Sequence, residues 1–242
     1  MLWYYIDPLY VILVLPAMLL ALLASASVNR TFDKYAKQRT ARGLTGAEAA
    51  RRVLDAHGLH AVQIRRVGGK LTDHYDPRDN TIYLSDVVHD SASTAAIGVA
   101  AHEAGHAVQH ATHYLPIKLR AAIIPATNFG SKLAIPLIIV GMLLCSFSSS
   151  MGVLGSYLAY AGLACFSLTA LFQLVTLPTE FNASRRAMRA LDDSGILYDD
   201  ELRGARKVLT AAAMTYVAAL AVSLAQLLRL LLIVASSSRR RR

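Results

Sequence analysis

The chain has 242 residues, 55% of them hydrophobic, with positive mean hydropathy, two cysteines and a formal net charge of +9. That length accommodates one compact domain together with membrane segments and excludes two large soluble domains. The apolar excess argues for a membrane protein, and the basic residues crowd beside apolar runs without interleaving with aromatics, which argues against a nucleic-acid partner.

The first apolar run, Pro8 to Ser27, carries no charged side chain and at helical rise can cross a hydrocarbon layer of about 30 Å. Ala24-Ser25-Ala26 resembles a cleavage site, so a signal peptide is the rival reading. Against it, no Lys or Arg precedes the run, and Arg30, Lys34, Lys37, Arg39 and Arg42 follow it as a stop-transfer cluster. Residues 1–27 are therefore expected to form a transmembrane anchor, with Trp3, Tyr4, Tyr5 and Tyr10 at the outer interface.

Residues 28–132 are the stretch polar enough to fold in water. Thr45 followed by Glu48 predicts a capping box at the start of an amphipathic helix, in which Ala49, Ala50, Val53 and Leu54 recur at helical spacing until Gly58. Val62, Ile64 and Val67 predict a short strand, Asp76 to Asn80 a turn, and Thr81 to Leu84 a second strand, expected to serve as a sheet edge for extended substrate.

The alanine-rich segment Ala95 to Gln109 is expected to be helical and contains His102-Glu103-Ala104-Gly105-His106. Residues four apart share a helix face, so both imidazoles can reach one ion. Zinc suits neutral nitrogen ligands and keeps a fourth position open in catalytic sites. Glu103 is placed to act as general base toward a zinc-activated water without being a ligand. His110, one turn further on, is read as structural, because three histidines at successive turns of a straight helix do not meet one tetrahedral ion comfortably. Cys145 and Cys165 lie in apolar runs and predict neither a disulfide nor a cysteine-ligated zinc.

Leu133 to Thr179 contains no Asp, Glu, Lys, Arg or His and is broken near its middle by Ser148-Ser149-Ser150 and Gly152, so residues 133–178 are expected to form a transmembrane hairpin with the serine turn outside. Lys118, Arg120 and Lys132 before it and Arg185, Arg186 and Arg189 after it place both flanks in the cytoplasm by the positive-inside rule. Glu180 is the first charge after the hairpin, in residues 179–207, where a new helix should start at the membrane surface. It is the best candidate for a third zinc ligand. Residues 208–235 form a last apolar helix interrupted by Arg229, followed by a basic tail at 236–242. A fourth span is favoured over a helix on the cytoplasmic domain or one in the interface with Arg229 snorkelling.

Gly43 to Glu48, Leu71 to Pro77, Ala101 to Ala107 and Leu177 to Ser184, in this order, give the chain a resemblance to the YugP-type neutral zinc metallopeptidases of bacterial membranes, distantly related to the HtpX peptidases. The resemblance implies a mostly helical α+β membrane protein: a gluzincin-like catalytic domain with a small β-sheet, plus about four transmembrane helices. It implies His102, His106 and Glu180 as zinc ligands and protein or peptide substrates. In the HtpX relatives the position of Ser184 is usually an Asp that orients a ligand histidine, so Ser184 is a weaker acceptor in that place. His74, Tyr75 and Arg185 are further candidates for contact with substrate or its developing oxyanion. The function expected is a multi-pass endopeptidase of the bacterial inner membrane, acting on its cytoplasmic side on unfolded or membrane-associated proteins. The alternative is a zinc-stabilised scaffold or chaperone whose metal is closed by a fourth ligand such as Asp73 or His110.

Overall fold

The computed structural model describes residues 7–147 and 151–239. Trp3, Tyr4, Tyr5, the Ser148–Ser150 turn and Arg240 to Arg242 lie outside the described residues. A π-helical turn, Tyr10–Val14, leads into α1 (Leu15–Tyr35) and is followed by α2 (Gly46–Ala56), β1 (Gln63–Val67), β2 (His74–Asp76), β3 (Thr81–Ser85) and α3 (Asp86–His89). Four longer helices complete the chain: α4 (Thr94–Ala111), α5 (Leu115–Phe147), α6 (Gly152–Asp193) and α7 (Asp199–Arg239). It is a mostly helical α+β membrane protein. Helices α1, α5, α6 and α7 are long and apolar enough to cross a bilayer, and many of their apolar side chains, such as Leu22, Ile139, Leu174 and Leu232, are exposed.

The chain divides into two compact units, Leu23–Lys118 with Leu177–Thr215, and the remainder. In the first, α4 is the central element. Ala95, Ala96, Ile97, Ala100, Ala101 and Ala104 are all fully buried, as expected of a helix enclosed by neighbours on most sides. Its start is capped by Ser93 Oγ, which accepts from Ala96 N at 3.3 Å. Helix α2 supplies Ala49, Ala50, Val53 and Leu54 to the same core. Its predicted capping box is present: Glu48 N donates to Thr45 Oγ1 at 3.2 Å, and Thr45 N donates to Glu48 Oε2 at 2.8 Å. Glu201 is buried at the start of α7 and accepts from Ala41 N at 2.7 Å and Tyr198 N at 3.2 Å, fastening the segment after α1 to the α6–α7 turn.

The sheet has three strands where the sequence suggests two. Its order is β1-β3-β2, with β1 parallel and β2 antiparallel to β3. The expectation of an edge at Thr81 to Leu84 is therefore corrected. β3 is the central strand, its backbone paired on both sides and Ile82 and Leu84 fully buried, and the strand edge next to α4 belongs to β2. β2 escapes sequence reading because three residues are too few to show a period, and Asp76 also belongs to the turn, its Oδ1 accepting from Arg78 N at 2.9 Å.

A second correction concerns α6. No new helix begins at Pro178; one helix runs through it from Gly152 to Asp193, so Glu180 sits deep inside a helix and not in a first turn. Proline in a helix interior removes one donor but does not end a helix held by its neighbours.

In the second unit α5 and α6 approach through a seam of glycines. A Cβ on Gly141 would fall 2.5 Å from Gly155 O, and one on Gly162 would fall 2.6 Å from Ala134 O. Helix α7 continues unbroken, and its Leu230 and Val234 pack with Ile138 and Ala159 of that hairpin. Arg229 does not snorkel away. Its Nε donates to Asp7 Oδ2 at 2.6 Å, with the guanidinium 5.4 Å from the Tyr10 ring centre, so the charge that interrupts the apolar run is paired with a carboxylate.

Within the first unit α4 and α6 meet at Gly105, where a Cβ would lie 2.7 Å from Ala183 O. Backbone stands in that position, so Gly105→Ala must separate the two helices. It is expected to cost about 1–3 kcal/mol of stability and to lower the thermal midpoint of the detergent-solubilised protein.

Candidate metal centre

His102 and His106 stand one turn apart on α4, with ring centres 4.7 Å apart and planes at 84°. Glu180, 2% exposed, comes from α6. Its Oε2 lies 3.3 Å from His102 Nε2 and 3.5 Å from His106 Nε2. The ligand atoms of the three residues all fall within 4.8 Å of one another. A tetrahedral zinc with bonds of roughly 2.0–2.1 Å has edges of about 3.3–3.4 Å. Two imidazole nitrogens and one carboxylate oxygen at this spacing fit zinc in size and in donor type.

The outward nitrogens are held as well. His102 Nδ1 is 3.1 Å from Ser184 Oγ, and His106 Nδ1 is 3.0 Å from Gln109 Oε1. A proton on each Nδ1, donated to these oxygens, leaves both Nε2 lone pairs directed at the Glu180 side. Gln109 is fully buried, and its amide orientation is fixed because Nε2 donates to Thr179 O at 2.8 Å and to Asn182 Oδ1 at 3.0 Å. Asn182 Oδ1 also accepts from Arg186 Nε at 2.8 Å. The pairing of Gln109 with Asn182 is not legible in the sequence. The available signal was an amide on a buried, alanine-rich helix three residues after the second histidine, where an unpartnered polar group would be costly.

Burial alone would depress the basicity of His106, yet its pKa stands above the ordinary histidine value. The hydrogen bond to Glu180 and the charges of Glu103 and Glu180 outweigh desolvation. The field at the His106 ring thus favours positive charge, the condition a cation satisfies.

Glu103 follows His102 on α4 and is 8% exposed; among the described residues no hydrogen bond or ion pair engages its carboxylate. Asp73 is committed elsewhere, its carboxylate accepting from Ser85 N at 2.7 Å and Ser85 Oγ at 2.9 Å. His74, on β2, stacks on Tyr83 with ring centres 5.0 Å apart, while Tyr75 donates to Asn80 Oδ1 at 2.9 Å and tilts against the His110 ring. Neither hydrogen-bonds to the cluster among the described residues. Arg185 is exposed on α6, on the face beside Ser184.

Four apolar helices long enough to span a bilayer, together with two histidines and a glutamate gathered from two helices, define a membrane protein with a potential zinc centre. Residues 10–235 match a family model described as "Putative neutral zinc metallopeptidase". The chain belongs to this family. It is 45% identical over 221 residues, 91% of this chain and 94% of the relative, to "Putative membrane protease YugP" of Bacillus subtilis (strain 168). No solved structure matches it.

The Gln109 contacts carry a prediction. Gln109→Leu removes the acceptor from His106 Nδ1 and should weaken zinc binding about 10–100-fold. Ser184→Asp supplies a stronger acceptor to His102 and should tighten it. Competition against a chromophoric chelator measures both.

Proposed function

We propose that the chain is a gluzincin-type zinc endopeptidase in which His102, His106 and Glu180 hold the metal and Glu103 is the general base. The supporting observation is the composition of the cluster. Among the described residues it brings together three protein ligands and no fourth. Structural zinc sites fill all four positions with protein atoms, whereas catalytic ones reserve a position for water or substrate. The scaffold alternative needs Asp73 or His110 in the cluster, and neither is part of it.

When bound, zinc supplies the Lewis acidity that peptide hydrolysis requires. The protein's own groups do the rest. Glu103 takes the proton from the attacking water and delivers it to the leaving amine as the C–N bond breaks. Ser184 and Gln109 fix the ring tautomers, and burial of Glu180 keeps its carboxylate on the two imidazoles. The open edge of β2, which borders α4, offers backbone groups to an extended peptide by strand addition. Substrates are unfolded or membrane-associated proteins, and the site faces the cytoplasm of a bacterial inner membrane, as the basic flanks of the hairpin direct.

Purified protein is expected to contain about one zinc per chain. Glu103→Gln should keep that zinc while cleavage of an unfolded protein such as casein falls by about 10²–10⁴-fold, and Glu180→Ala should lose both. Equal cleavage by the Glu103 variant and its parent would remove Glu103 as the base.

Orientation is checked separately. A cysteine placed at the exposed Arg78 should react with an impermeant maleimide in inverted membrane vesicles and be protected in intact spheroplasts.

A further inference from the structure

A groove runs beside the metal cluster, between α6 and α7. Phe181, Ser184, Arg185 and Met188 form one wall at spacings of three and four residues. Arg206 and Leu209 belong to the stripe of α7 facing them. The groove is half-open, with a volume of about 280 Å³. Phe181, Met188 and Leu209 make it apolar, and its charged lining consists of the two guanidinium groups, with no Asp or Glu.

Those guanidiniums differ from their neighbours. Arg186 is tied to Asn182 and Arg42 to the Tyr198 hydroxyl, whereas among the described residues Arg185 and Arg206 form no ion pair or hydrogen bond. Two like charges facing one apolar groove without a counter-charge leave planar donor forks available to an anion, and such forks match a carboxylate with two parallel hydrogen bonds. Ser184 is common to both sites. It lines the groove and contacts His102 Nδ1, so whatever occupies the groove lies next to the metal cluster.

We propose that this groove is a specificity subsite that receives a carboxylate of the peptide substrate, its aliphatic stem against Phe181, Met188 and Leu209 and its oxygens on Arg185 and Arg206. The assignment rests on the peptidase reading above. It predicts that the enzyme selects an acidic side chain, or a free C-terminus, at a fixed distance from the bond it cuts.

Zinc-loaded, full-length protein in detergent is to be presented with quenched-fluorescent peptides of one sequence, carrying Glu, Gln or Lys at each position in turn, with a free or an amidated C-terminus. At one position Glu should raise kcat/KM about tenfold or more over Gln. Alternatively, the free C-terminus should exceed the amide by a similar factor, which would make the terminal carboxylate the ligand. Arg206→Gln should bring that ratio near unity, and Arg206→Glu should invert it in favour of Lys, with zinc content still near one per chain. Fluorescence anisotropy of the same peptides on the Glu103→Gln protein gives a readout without turnover, in which the preferred peptide binds tighter and loses this advantage when Arg206→Gln is added. A parent that cleaves Glu, Gln, free and amidated peptides alike, or a preference untouched by Arg206→Glu, overturns the subsite and leaves the peptidase reading standing. If the zinc-loaded parent cleaves none of the peptides, the peptidase reading falls, and the anisotropy comparison decides the groove by itself.

Discussion

The close approach of α4 and α6 at Gly105 and Ala183 is the constraint on which the site depends. A helix of ordinary side chains keeps its neighbour 8–10 Å away between axes, as is typical of packed helices. An α4 lined with alanine and glycine lets the backbone of α6 come into direct contact, so a glutamate of only two methylenes reaches the imidazoles of the facing helix. The small residues around the histidines are thus the means by which the carboxylate, third member of the cluster, arrives. The same device recurs in the apolar unit, where glycines bring α5 and α6 together in a seam.

Close packing would be of little use if the polar atoms it traps were left unpaired. Glu180 and Gln109 are almost wholly enclosed, and each buried polar group without a partner costs about 1–3 kcal/mol. Each has a partner: Glu180 meets two ring nitrogens, and Gln109 bridges His106 to Thr179 and Asn182. The chain of contacts from His106 through Gln109 and Asn182 to Arg186 joins α4 and α6 by hydrogen bonds where the helices already touch. Rigidity of this kind holds the three side chains together, which would lower the reorganisation required of a site that takes up a metal ion.

Charge is handled differently in the apolar unit. Arg229 stands in a run that otherwise reads as a plain span, and an isolated cation in hydrocarbon is expensive. Asp7 and the Tyr10 ring, more than two hundred residues away in sequence, neutralise it. This pairing ties Asp7 to α7, whose Leu230 and Val234 pack on Ile138 of α5 and Ala159 of α6.

The amino-acid order by itself determined those features that depend on local periodicity and on single-helix chemistry. These are the four long apolar segments, the capping box at Thr45 and Glu48, the helical placement of His102, Glu103 and His106, and the strand at Thr81 to Leu84. Each is decided within about twenty neighbouring residues or fewer, the range over which an apolar run, side-chain period and capping act. Tertiary structure decided the rest. β2 exists because β3 offers it a free edge, and Pro178 stays helical because neighbours hold α6 on both sides of it. Gln109 has its amide fixed beside His106 because α6 presents Thr179 and Asn182 to it, and the grouping of Arg185 with Arg206 required two helices to face each other. Apart from the short β2–β3 pairing, these are contacts between residues tens of positions apart, fixed by which surfaces exclude water together, and no local period in the sequence records them.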